Sequence, residues 1–160
     1  MITVTRIDHR LLHGQVAFSW IKSTGSNCIL IANDAVAADK LRMSALRLAK
    51  PEGVKLVIKN VEDSIAAITS GVTDKYELFV IVESIEDAYR LVQGVNVNGK
   101  VIPEIDLGGV KVEEGKRQIS KAVFVSDAEC DRIRELEAAG VHVYVQMLPD
   151  EKAENALDLL

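Results

Sequence analysis

Short runs dominated by valine, isoleucine and leucine alternate with longer segments of helical spacing, and this alternation restricts the chain to folds built from parallel βαβ units. The strand-like runs are Ile2–Ile7, Cys28–Ala32, Val54–Lys59, Leu78–Val82, Glu104–Leu107, Ala122–Val125 and Val141–Gln146. Several are almost continuously apolar, as strands covered on both faces must be. The expected architecture is therefore α/β: an open, mostly parallel sheet of about seven strands with helices on both faces. A length of 160 residues accommodates this as one domain spanning 1–160.

The helical segments are Gln15–Lys22, Ala37–Ala49, Val61–Thr69, Ile85–Gln93 and Asp127–Ala139, with a last helix expected over Asp150–Leu159. Ser84 and Ser126 precede acid-rich first turns and should cap them. Gly71, Gly94 and Gly140 follow helical runs, where glycine can take the left-handed stop conformation. Pro51 stops the second helix because it cannot continue the hydrogen-bond ladder. Cys130 falls with Ile133 and Leu136 on an apolar stripe, and Cys28 opens an apolar strand, so both cysteines read as small buried hydrophobes. Neither has metal-ligand spacing, and no disulfide, metal or cofactor is expected.

Composition excludes several classes of function. Charged residues make up 27% against 48% apolar, which suits a folded globular protein. A formal charge of -5 argues against general nucleic-acid binding, which is built from excess lysine and arginine. No apolar run is long enough to span a bilayer, and the opening MITVTRID alternates like a strand rather than a signal peptide. The expected location is the cytoplasm.

The chemistry concentrates in RIDHRLLHGQV, residues 6–16, which holds two of the chain's three histidines where the first strand gives way to the first helix. In an open parallel sheet, ligands bind beyond the carboxyl ends of strands near a topological switch point. A helix beginning at Gly14 or Gln15 would turn its unpaired N–H groups toward His13 and favour an anion there, and Gly14 would leave the approach uncrowded. A neutral imidazole is nucleophilic enough to take a phosphoryl group and releases it readily, so His13 is the candidate phosphoryl carrier. Arg10 is the candidate for stabilising the phosphoryl oxygens, because its planar fork matches two of them. Asp8 has three available roles: fixing a loop amide, orienting an imidazole, or holding Arg10. His9 is the rival nucleophile, although it follows the strand directly and has no glycine beside it. His142 lies in a strand pattern and reads as structural or exposed.

Two further segments bear on a site. Asn33 and Asp34 follow the second strand at the same sheet edge, where Asp34 is either a cap or turn former or a partner of the histidine loop. Lys116 and Arg117 sit in the glycine-broken region Val95–Ser120, either as a solvated basic turn or as a surface facing phosphate or an acidic partner.

RIDHRLLHGQV, followed by ANDAVAAD and later GGVKVEEGKRQISKAVFV, resembles the IIB components of the mannose, fructose and sorbose class of bacterial sugar phosphotransferase systems (PTS) over nearly the whole chain. His9 departs from the aspartate or asparagine usual in that motif. The resemblance implies that His13 accepts a phosphoryl group from a phosphohistidine on the IIA component, here a separate polypeptide. It further implies transfer to a sugar, a hexose, amino sugar or relative, arriving through the membrane components IIC and IID. The activity implied is that of a protein-Nπ-phosphohistidine–sugar phosphotransferase, with the chain peripherally associated with the transporter and Arg10 assisting the sugar step. Other classes of IIB use a phosphocysteine after the first strand; no cysteine occupies this loop and Cys28 begins the second strand, which agrees with the histidine class.

Two other functions compete with this reading. A histidine-dependent phosphohydrolase also places arginine, histidine and glycine after a strand, but normally has a contiguous RHG and a second catalytic histidine, whereas here two leucines separate Arg10 from His13 and His142 sits in a strand pattern. A flavodoxin-like ligand-binding module would be non-catalytic, and GGVKVEEG lacks dinucleotide-binding spacing.

Overall fold

The computed structural model describes residues 1–160, which fold as an open α/β sheet. The first half runs β1 (Ile2–Asp8), α1 (Gly14–Thr24), β2 (Cys28–Ala32), α2 (Asp34–Ala37), α3 (Lys40–Leu48), β3 (Lys55–Lys59), α4 (Val61–Thr69) and β4 (Leu78–Val82). The second half runs α5 (Ile85–Val97), β5 (Glu104–Gly109), β6 (Arg117–Ser120), β7 (Val123–Val125), α6 (Asp127–Ala138), β8 (His142–Val145) and β9 (Glu154–Asn155).

The main sheet has seven strands in the order β3-β2-β4-β1-β5-β8-β9, parallel except for β9. Residue parity divides its side chains between two cores. Ile29, Ile31, Phe79 and Ile81 pack with Trp20 and Ile21 of α1 and Val36 of α2. Leu30, Val80, Val82 and Ile7 pack on the opposite face with Ile68 of α4, Leu91 of α5 and Ile133 of α6. Burying such side chains on both faces contributes roughly 1.5–3 kcal/mol each and explains why these strands read as unbroken apolar runs.

The expected strand count holds with different membership. Ala122–Val125 does not enter the main sheet: β5 already has β1 and β8 on its two edges, so β7 pairs antiparallel with β6 and meets the main sheet's β5 end through a Val110–Val123 bridge. The seventh strand is β9, from the segment expected to be helical. The Gln146 side-chain amide donates to the carbonyls of Pro149 and Glu151, which takes them out of a helical ladder, and only Ala156–Leu159 coils, as a 3-10 turn.

The expected helix Ala37–Ala49 is two helices. Asp39 interrupts it by accepting the Leu41 and Arg42 amides and capping α3, a competition with the helical backbone typical of aspartate. Ser84 and Ser126 cap as expected, Ser126 in a reciprocal box with Glu129. Both cysteines are buried and unpaired, and no helix is long and apolar enough to cross a membrane.

Gly94 is not a stop signal but lies inside α5, which runs on to Val97. A Cβ at Gly94 would come within 2.5 Å of Ile65 Cδ1 and 2.9 Å of both Ile65 Cγ atoms, so the missing side chain lets α5 lie against α4. Gly94→Ala should therefore lower unfolding free energy by about 1–3 kcal/mol despite alanine's better helix propensity. The double variant Gly94→Ala/Ile65→Ala should lose the overpacking component, which urea titration of both chains against Ile65→Ala alone will measure.

Candidate active site

β1 lies between β4 and β5, with α1 leaving toward one face and α5 toward the other, so a crevice opens at its carboxyl end. The loop from His9 to His13 crosses that edge. It is pinned from below: Leu11 and Leu12 are each only 3% exposed and pack into the α1-side core. The Leu11 amide closes a turn onto the Asp8 carbonyl at 2.9 Å, with Leu11 itself at φ +57. A left-handed leucine costs on the order of 1–2 kcal/mol, a strain held in place by burial of the two side chains.

Asp8 organises the loop. Its Oδ1 accepts the Arg10 amide at 2.9 Å, its Oδ2 lies 2.9 Å from His13 Nε2, and Arg6 Nη2 stands 3.4 Å from that same Oδ2. Of its possible roles it performs two, fixing a loop amide and orienting the imidazole, and does not hold the Arg10 guanidinium. Burial alone would raise the Asp8 carboxyl, but hydrogen bonds from His13 and the Arg10 amide, with the charges of His13 and Arg6, outweigh it and hold Asp8 below the usual range. His13 Nδ1 has no protein partner and is open to solvent.

His13 is the N-cap residue of α1, yet its side chain makes no capping bond and the first turn carries no acid. The other α-helices are all closed by a side chain: Asn33, Asp39, Asn60, Ser84 and Ser126. The first-turn amides of α1, Gly14 and Gln15 among them, are thus the ones left to meet an anion. Gly14 is required for its backbone, at φ +43; a Cβ there would meet nothing within 4 Å, so crowding is not the reason for glycine. Arg10 is exposed, and its guanidinium makes no hydrogen bond or ion pair with the protein.

Asp34 is not a partner of the histidine loop. It accepts the Val61 amide at the start of α4 and pairs with Arg90 at 3.0 Å, contacts that lower its carboxyl, while Asn33 caps α2 and donates to Glu83. Asp34 nevertheless lines a cleft of about 350 Å³ with His9, Glu83 and Lys116 at the carboxyl edge of the sheet. Lys116 is not a solvated basic turn: its side chain is 11% exposed and ion-paired with Glu129 at 3.1 Å. Arg117 points elsewhere, with Nη2 3.5 Å from Cys130 Sγ. His9 donates its amide to Gly109 and buries an unpartnered Nδ1. His142 is exposed beside Glu137 at the opening of β8, the opposite end of a parallel strand from His13, so it does not face the loop.

Reading the sequence alone gives Arg6 and Asp106 no role, yet they form the buried base of the site. Arg6 is 2% exposed; Nη1 binds Asp106 and the Gln146 carbonyl at 3.0 Å, and the guanidinium carbon lies 5.5 Å from the centre of the Trp20 ring. Burial pushes the Asp106 carboxyl up to about 7 against the pull of Arg6. The guanidinium occupies the space beside Gly108, where a Cβ would fall 2.1 Å from Arg6 Cζ. A signal existed: charges at alternate positions in the strand pattern TRID and a lone aspartate in IDLGG, with glycines where side chains should stand.

The family model for the PTS system sorbose subfamily IIB component matches residues 2–160. The chain is 31% identical over 159 residues to the N-acetylgalactosamine-specific phosphotransferase enzyme IIB component 2 of Escherichia coli K12, covering 99% of this chain and 98% of that protein. It is 30% identical to the mannose-specific EIIAB component of the same organism, spanning all of this chain and 48% of that protein. The crystal structure of the IIB domain of the sorbose permease from Klebsiella pneumoniae superposes with a TM-score of 0.91 at 31% identity, covering 99% of this chain and 94% of that one.

Gly108→Ala should destabilise the protein by about 3 kcal/mol or more, because it both overpacks β5 and dislodges a buried ion pair. Gly109→Ala, whose Cβ would meet Asp8 and His9 at an ordinary 3.4 Å, should lose less than about 1 kcal/mol in the same denaturation experiment. Asp8 generates a separate pH signature. Its carboxyl is lowered in the folded state, so its stabilisation is fully present above the unfolded value of about 3.9 and disappears as pH falls through the folded value. The stability difference between wild type and Asp8→Asn should accordingly shrink below about pH 4 in unfolding titrations across pH.

Proposed function

The chain belongs to the sorbose-subfamily IIB components of the sugar phosphotransferase system, and from that premise we propose that His13 is the residue on which it carries the phosphoryl group. As a IIB phosphocarrier it is a phosphotransferase working between IIA and a sugar. The observation that carries the His13 reading is its tethering: Nε2 is engaged by Asp8 while Nδ1 faces solvent at the uncapped end of α1.

Asp8 as a carboxylate accepts Nε2–H, which leaves the Nδ1 lone pair free to attack phosphorus. The phosphoryl oxygens then meet the α1 amides, including those of Gly14 and Gln15, and the unengaged Arg10 guanidinium. On release, a sugar hydroxyl attacks phosphorus, the Nδ1–P bond breaks with its electrons returning to the ring, and the hydroxyl proton passes to water. The carrier acts in the cytoplasm beside the membrane components IIC and IID, with phosphorylated IIA as donor and a hexose or amino sugar as acceptor. The fused mannose-specific EIIAB relative supports the pairing with IIA. Lys116, held in the cleft beside His9, supports a role in the docking surface more than Arg117 does.

His13→Ala should abolish acceptance of phosphate from IIA with the fold intact, and His9→Ala should retain it; alkaline mass spectrometry locating the phosphate on His9 would refute the assignment. Arg10→Lys should still accept phosphate but lose roughly a thousandfold in transfer to sugar, since lysine lacks the two-point fork. Phosphorylated fraction and sugar phosphate formed by membranes bearing IIC and IID are the paired readouts.

A further inference from the structure

Arg6 is the arginine whose guanidinium the fold withdraws from water, and removing such a charge from solvent is strongly unfavourable before its partners are counted. Its partners lie on three elements besides its own strand. Asp106 on β5 and the Gln146 carbonyl after β8 hold Nη1, and Trp20 of α1 lies against the guanidinium carbon. Trp20 is itself tied to that same tail, donating Nε1–H to the Met147 carbonyl at 3.0 Å. The remaining terminal nitrogen, Nη2, is directed at Asp8 Oδ2, the oxygen that meets His13 Nε2.

We propose that Arg6 is a positioning residue for phosphoryl transfer: clamped by Asp106 and Gln146, it holds the Asp8 carboxylate in the orientation that receives His13 Nε2–H and presents Nδ1 to the donor. This rests on the reading of His13 as the acceptor. In the step it serves, the Nδ1 lone pair forms the new bond to phosphorus. The donor's N–P bond breaks with its electron pair staying on the donor imidazole. The Nε2 proton remains in place, and the positive charge that the His13 ring acquires is balanced by Asp8.

Arg6 touches neither phosphorus nor His13, so it acts through Asp8, and a small displacement of the carboxylate would turn the ring off the line of attack. Misplacement of about 1 Å in such a geometry can lower a rate a hundredfold. Lysine could not substitute, because one ammonium cannot reach two carboxylates and a carbonyl in the fixed plane that the guanidinium supplies. The absence of a side chain at Gly108 matches this need, since it clears space at the guanidinium carbon itself.

A double-mutant cycle tests whether Arg6 acts through Asp8. Arg6→Met/Asp106→Asn removes the guanidinium together with one of its two buried carboxylates, so that Asp106 is not left as an unpaired charge and Asp8 keeps only its His13 and Arg10 amide contacts, and the amide introduced in place of the Asp106 carboxylate retains an acceptor for the Gln146 backbone N–H. Arg6→Lys, which keeps the charge, is carried in parallel in case the paired change impairs folding, and circular dichroism and thermal melting monitor every chain. Initial rates of phosphate acceptance from phosphorylated IIA are measured with Asp8 intact and in an Asp8→Ala background.

Loss of roughly ten- to a hundredfold with Asp8 intact is expected for both variants, with little further loss in the Asp8→Ala background. An equal factor of loss in both backgrounds would make Arg6 merely structural, and undiminished rates in either Arg6 variant would likewise overturn the inference. Acceptance that survives His13→Ala would instead overturn the reading of His13 on which the inference rests.

Discussion

The site depends on a guanidinium placed where side chains are normally apolar. Arg6 lies on the α1-facing side of the central strand β1, alternating with Ile7, which enters the opposite core. An isolated charge there would be prohibitive, and the structure meets it with two carboxylates, a carbonyl and an aromatic face. Buried ion pairs of this kind seldom stabilise a fold more than apolar packing of the same volume would. What the arrangement supplies is direction: β1, β5, the tail after β8 and α1 converge on one planar group whose far end meets Asp8.

From that base the loop is held between two kinds of constraint. Leu11 and Leu12 anchor it by burial, with one left-handed backbone conformation as the strain this requires, and Asp8 anchors it by hydrogen bonds to the Arg10 amide and the His13 ring. Between these anchors His13 Nδ1, the Arg10 guanidinium and the first amides of α1 are left without side-chain partners. The other α-helices each use a side chain to close their own amino ends. A chain with a formal charge of -5 thus offers an anion a local concentration of N–H groups, and local field rather than net charge governs such an approach.

The neighbouring cleft has a different character. Asp34, Glu83, Asp87, Glu113 and Glu129 give it a carboxylate-rich lining, moderated by Lys111 and Lys116. Asp34 and Asn33 hold the second strand's exit onto α4, α2 and Glu83, the residue after β4, so they shape this wall of the crevice without touching His13. His9 joins the two regions, with its backbone bonded to Gly109 and its ring turned to the cleft.

The parallel sheet, its two covered faces, the Ser84 and Ser126 caps and the place of His13 were all legible in the sequence. Period, capping residues and strand ends are local properties, written in residues a few positions apart. The misreadings were of another kind. Ala122–Val125 is a good strand, but which edge it joins depends on β1 and β8 having already taken both sides of β5. The segment after Asp150 gives β9 and a 3-10 turn rather than an α-helix, with the Gln146 side-chain amide taking the Pro149 and Glu151 carbonyls, and Gly94 is a helix residue because Ile65 needs the space. The base of the site is the clearest case. Arg6 and Asp106 are 100 positions apart, and neither their pairing nor the reason for Gly108 exists until β1 and β5 lie side by side. By itself the sequence determined the elements and put an imidazole at the amino end of a helix. Only the tertiary structure decided which charge would be buried, because burial and pairing belong to strands brought together from distant parts of the chain.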